Sequence, residues 1–124
     1  MCATSLEFQV SAGGVVMQYL VHGQGGPGFT SPEEAVHVLE EGIVPTFDYL
    51  IGLEKDRKIL AGGTPAGERA IAFVVEASSN DEVDRLIRDI PAWAALDWQV
   101  TPLQTFAGRA AMERAVIAQL RQSV

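Results

Sequence analysis

One cysteine in 124 residues, Cys2, leaves no partner for an internal disulfide. No cluster of Cys and His stands at metal-ligand spacing either, so no structural zinc is expected. The compartment expected for such a chain is the reducing cytoplasm. Basic residues are scarce: 9 Lys and Arg against 16 Asp and Glu give a formal net charge of −7. Nucleic acids and anionic membrane surfaces select basic faces, so neither is an expected partner. Apolar runs stay well below the roughly 20 residues that span a bilayer. What is present suits one globular domain, with 48% hydrophobic and 20% charged residues. At this length, folding buries roughly two-thirds of the surface of the unfolded chain, enough for a core without staples.

Residues 1–14, MCATSLEFQVSAGG, carry Glu7 and no basic residue, which does not fit a secretory signal. They read as a leader or as a loosely paired extra strand, LEFQV. The first firm strand is Val15–His22, VVMQYLVH. After a glycine-rich loop, Ser31-Pro32-Glu33-Glu34 gives a helix start, with Ser31 as N-cap, Pro32 at N1 and Glu34 at N3. Apolar positions from Val36 to Leu53 keep a helical period, interrupted by Gly42 and Pro45, which predicts a kink or two abutting helices. Ile59–Gly62 reads as a short strand and Arg69–Glu76, RAIAFVVE, as the strongest strand of the chain. Ser79-Asn80-Asp81-Glu82 is a second capping box, followed by the apolar stripe Val83, Leu86, Ile87 and Ile90, with Pro91 as the stop. Trp98–Leu103 is a fourth strand and Arg109–Gln122 a last helix with a narrow stripe of Met112, Val116 and Leu120.

The order predicts an α+β fold: a ferredoxin-like β-α-β-β-α-β antiparallel sheet over residues 15–106, with an added C-terminal helix over 107–124. Such a sheet has helices on one face only. The other face then calls for a second copy, so a homodimer or larger homo-oligomer is expected.

Gly23, Gly25 and Gly28 spell G-x-G-x-x-G between a strand and a helix. A dinucleotide site needs the helix to begin inside that motif, with its N-terminus facing the pyrophosphate. Here the cap signals put the helix start at Ser31, Pro27 sits inside the motif, and the acidic residue expected about 20 positions on falls on a helix at Asp48. No Lys followed by Ser or Thr completes a phosphate loop. The glycines therefore read as a βα connection, and no cofactor is expected.

From Leu39 to Phe106 the chain resembles the muconolactone isomerase family. The resemblance rests on Ser79-Asn80-Asp81-Glu82 after a strand, on Leu86 and Ile90-Pro91, and on Val100-Thr101-Pro102-Leu103, with Met17–Val21 fitting the family's leading strand. It implies ferredoxin-like subunits of dimeric α/β-barrel type that pair their sheets and assemble into rings. It also implies a cofactor-free isomerase of aromatic catabolism that shifts a lactone double bond by moving a proton between carbons. The second strand, ILAGGTPAG, lacks the tryptophan- and arginine-containing stretch of those isomerases, so fold transfers better than substrate.

A carbon-to-carbon proton shift needs a base near an acidic C–H and a donor for the developing enolate. His22, at a strand end beside the loop, is the leading acid–base candidate; the competing reading is a solvent-facing strand end. Asp48, in the middle of an apolar helix, is the second; Glu41, Asp48 and Lys55 otherwise make a solvated stripe. Arg69 could take a substrate carboxylate. Tyr19, Phe47, Trp93 and Trp98 could wall an apolar pocket between the sheet and the kinked helix, or fill the core and an interface. Two rival functions fit the same pattern. One is a non-catalytic oligomeric protein that binds small ligands. The other is a dimeric ferredoxin-like monooxygenase, which requires a haem or a redox-active substrate.

Overall fold

The structure, a computed structural model, describes residues 10–11, 14–26 and 28–123. Two short strands, β1 (Val10–Ser11) and β2 (Gly14–Val15), pair with each other; the rest of the expected leader lies outside the described residues. A four-stranded sheet follows, made of β3 (Met17–Gln24), β4 (Ile59–Gly63), β5 (Ala70–Ala77) and β6 (Asp97–Leu103). Its order is β4-β5-β3-β6 and every neighbouring pair is antiparallel. Each half of the chain crosses by a helical segment to a strand two positions away in the sheet, passing over the one between: β3 to β4 over β5, and β5 to β6 over β3. The result is α+β and compatible with a ferredoxin-like fold.

Strand alternation sorts the sheet into two faces. Tyr19 and Val21 of β3 lie opposite Val75 and Phe73 of β5, and all four are buried. They form one core with Leu53, Val83, Ile87 and Ile90 from the helical layer. Each such side chain contributes about 1.5–3 kcal/mol on full burial. The intervening residues, Leu20 and His22 of β3 with Val74 and Ala72 opposite them, occupy the other face. There Leu20 remains 40% exposed.

The helical layer starts as the capping signals predict. α1 (Pro32–Val38) begins at Ser31, whose Oγ accepts the Glu34 N–H at 3.1 Å. α3 (Asn80–Arg88) begins at Ser79, whose Oγ accepts the Glu82 N–H at 3.1 Å. The returning carboxylate of Glu82 takes the backbone N–H and hydroxyl of Ser78, not of Ser79 itself. Between α1 and α2 (Val44–Lys55) the helix widens into a π-helical segment, Leu39–Ile43. Pro45 has no N–H and its ring crowds the carbonyl four residues back. The Val44 N–H accordingly reaches Leu39 O, and Thr46 Oγ1 donates to Gly42 O at 2.7 Å. The expected kink is thus a π turn. Tyr49 of α2 donates to Leu86 O of α3 at 2.8 Å, and burial, with Asp89 nearby, pushes its phenol pKa up.

Several boundaries differ from expectation: β3 starts at Met17, with Val15 in the separate strand β2, and β4, β5 and β6 are each offset by a residue. β3 runs past His22 to Gln24 because Gly23 and Gln24 go on pairing with Ile71 and Ala70 on one side and Trp98 and Asp97 on the other. α4 (Phe106–Ser123) begins before Arg109, as Thr105 Oγ1 accepts the Gly108 N–H at 3.0 Å and caps it. α4 buries none of its residues, and Phe106 is 96% exposed. Among the described residues, no helix is long and apolar enough to cross a membrane.

Candidate functional site

The loop after β3 is shaped by two glycines in the left-handed region, Gly25 (φ 92°) and Gly26 (φ 105°). Side chains disfavour that backbone, so glycine serves both positions. The Gly25 N–H donates to Arg69 O at 3.0 Å, and Arg69 Nη2 donates to Gly26 O at 3.1 Å. One arginine thus ties the loop to the start of β5 through both its backbone and its side chain. Its guanidinium carbon also stands 5.9 Å from the centre of the Phe29 ring, within the range of a cation–π contact.

Beneath this loop lies a cleft of about 450 Å³, within the range of small-molecule sites. The loop supplies Gly26 and Phe29, and the widened helix supplies Leu39, Ile43 and Phe47. β5 closes the floor with Ile71, and the turn before β6 adds Ala95 and Leu96. The wall is apolar apart from Arg69, the carboxylates Glu34 and Glu68, and the hydroxyls of Thr46 and Thr64. Glu34 is half-buried and Glu68 is exposed. Thr30 Oγ1 donates to Glu34 Oε2 and holds that side chain from one side.

Thr46 is a buried polar residue with both hydrogen-bonding roles filled. It donates to Gly42 O and accepts the Ala92 N–H at 3.0 Å, which ties the π segment to the chain leading into the turn at Trp93–Ala95. The cleft wall is therefore clamped where the helix is widest.

Of the residues singled out from the sequence, Arg69 and Phe47 line this cleft together. Tyr19 is in the core, 1% exposed, with its hydroxyl donating to Asn80 Oδ1 at 2.7 Å. Trp98 lies across Gly23, and its Nε1 donates to Trp93 O at 3.0 Å. Trp93 is half-buried under Arg88, whose guanidinium carbon is 4.8 Å from the ring centre. His22 sits in the middle of the sheet face opposite the core, between Ala72 and Gln99. Asp48 is exposed on α2. The structure does not bring His22 and Asp48 together, nor does either line the cleft.

Glu34 and Glu68 also line the cleft and were not singled out from the sequence. Glu34 carried only a capping signal, and Glu68 was hidden in the loop before β5. The G-x-G-x-x-G glycines do not open a helix: Gly23 is inside β3, and α1 starts only at Pro32. Among the described residues, no three His, Cys, Asp or Glu side chains cluster to hold a metal ion. Compared with protein-family models the chain matches none, and no curated protein matches it.

Proposed function

We propose that the cleft binds a small, largely apolar molecule carrying a carboxylate, and that the protein is a cofactor-free isomerase of such a molecule. The observation that carries this reading is Arg69, the one cationic residue among the described residues on the wall of a mainly apolar cleft that also carries Glu34 and Glu68. Arginine presents planar paired donors that match a carboxylate, and Arg69 is exposed at the cleft, where a ligand can reach it.

The chemistry suited to this wall is a proton shift. Glu34 takes a proton from a carbon next to the substrate's carbonyl, breaking one C–H bond. The double bond moves along the chain, and the Glu34 carboxyl, free to exchange its proton with solvent, delivers a proton to a farther carbon, forming a new C–H bond. No oxidant or reductant enters the balance. Arg69 holds the charge that develops on oxygen. Glu34 is the better placed carboxylate, being half-buried and oriented by Thr30. His22 and Asp48 stand outside the cleft, so in this reading neither moves the proton.

The proposed assembly is a homo-oligomer of ferredoxin-like subunits. Its support is apolar surface that the single chain leaves uncovered: Leu20 and Leu103 on the outer sheet face and Met112, Val116, Ile117 and Leu120 on α4.

The test is proton NMR of carboxylated unsaturated lactones in deuterated buffer, with the native chain and Glu34→Gln. Turnover or deuterium uptake that the substitution removes supports the reading. Binding without exchange in the native chain contradicts the isomerase and favours a binding protein.

A further inference from the structure

A second cavity, about 240 Å³, adjoins the cleft between α2 and the edge strand β4. Phe47, Thr64 and Ile71 line both cavities and form the partition between them. Beyond the partition the wall is built from Leu50, Ile51, Ile59 and Phe73, and the polar side chain there is Glu54. Phe47 and Ile51 are one helical turn apart on α2, on the same side of the helix. They are 39% and 46% exposed, although both are large and apolar. The first cavity carries the cation Arg69 together with the carboxylates Glu34 and Glu68, whereas the second is lined by apolar side chains around Phe47 and Ile51 with Glu54, an exposed carboxylate, as its charged group.

We propose that the ligand is a monocarboxylic acid with an extended apolar tail, its carboxylate at Arg69 and its tail passing Phe47 into the second cavity. This rests on the carboxylate reading of the cleft. It goes further in selecting long acids over compact ones, and monoacids over diacids. A second carboxylate at the tail end would meet Glu54, a like charge among apolar side chains. A methyl end meets Ile51 and Leu50 instead.

The test is titration calorimetry of the full chain with straight-chain carboxylates from hexanoate to tetradecanoate below their micelle concentrations. The matched alcohols and α,ω-diacids are titrated in parallel, and the native chain is compared with Ile51→Trp. Ile51 is exposed, so the larger ring fills the second cavity without disturbing the core; Ile51→Phe serves as a smaller filling. The expected result is tightening of about fourfold per methylene in the native chain. In Ile51→Trp the gain stops at a shorter length, and diacids bind more weakly than monoacids of equal length. Identical length profiles in native and Ile51→Trp proteins overturn the tail path and leave the carboxylate reading standing. Acids that bind no better than their alcohols overturn the carboxylate reading itself. No binding of any acid overturns both.

Discussion

The hydroxyl of Thr46 lies 3.0 Å from the backbone nitrogen of Ala92, a residue 46 positions away in the chain, and joins the two walls of the cleft. The same oxygen donates to Gly42 O in the widened helix. Thr46→Val keeps the volume and removes both bonds, which strands a buried N–H on Ala92. The expected loss is about 1–3 kcal/mol, measured by urea unfolding. Thr46→Ser keeps the hydroxyl and is expected to recover most of that stability. Equal losses in the two variants would show that the methyl group, not the hydrogen bonds, matters.

Gly23 faces Trp98 across the β3–β6 pair, and a Cβ at Gly23 would come within 2.5 Å of the indole ring. Gly23→Ala must displace a ring that is also held through Nε1 to Trp93 O. Overpacking of this kind costs about 1–3 kcal/mol. Gly28→Ala is the control, since a Cβ there meets nothing within 4 Å. Thermal unfolding followed by tryptophan fluorescence should show a clear loss for the first and little change for the second.

The carboxylate of Glu82 has its pKa held below the ordinary carboxylate range by the backbone N–H of Ser78, then by the Ser78 hydroxyl, with Lys58 and Arg85 adding to the effect. A lowered folded-state pKa stabilises the protein above the unfolded-state value, and that stabilisation is lost as pH falls through the folded-state value. The native chain is therefore expected to be more stable than Glu82→Gln near neutral pH. The difference should shrink below about pH 4.3. A constant difference across the acid range would contradict the assignment.

α4 exposes Met112, Val116, Ile117 and Leu120 along one side, and helices in proteins draw most of their stability from packing such a face. A second copy of the chain is the expected cover. Sedimentation at micromolar concentration should give a dimer or larger species. A chain ending at Thr105 should keep the sheet, because α4 buries none of its residues. A monodisperse monomer of the full chain would contradict the assembly.

The sequence made the elements legible where local chemistry acts alone. Ser31 and Ser79 cap the helices that their spacing announced, and RAIAFVVE is the central strand whose alternate residues fill the core. Pro45 announced the break in the long helix but not its form. Whether a proline produces a kink or a π turn depends on where the freed carbonyls find donors, and Thr46 supplies one from within the segment. The site was less legible. Arg69, a cation at a strand start, and Phe47, an aromatic on the kinked helix, both of which line the cleft, were singled out from the sequence. Glu34 was not, because a capping residue and a cleft carboxylate look alike until the loop folds over them. Gly23 resembled part of a phosphate loop, yet its cause is a tryptophan 75 positions on, a relationship set by strand pairing alone.

The most direct test of the central claim is the affinity of the native chain and of Arg69→Gln for a small apolar carboxylate, benzoate, by titration calorimetry with amide NMR of Gly25 and Gly26. The account predicts saturable binding by the native chain, shifts at both glycine amides, and affinity at least tenfold weaker in Arg69→Gln with the fold intact, the loss of about 1.4 kcal/mol or more expected for a charged hydrogen bond. Equal affinity in the two proteins, or binding that leaves the Gly25 and Gly26 amides unmoved, would contradict it.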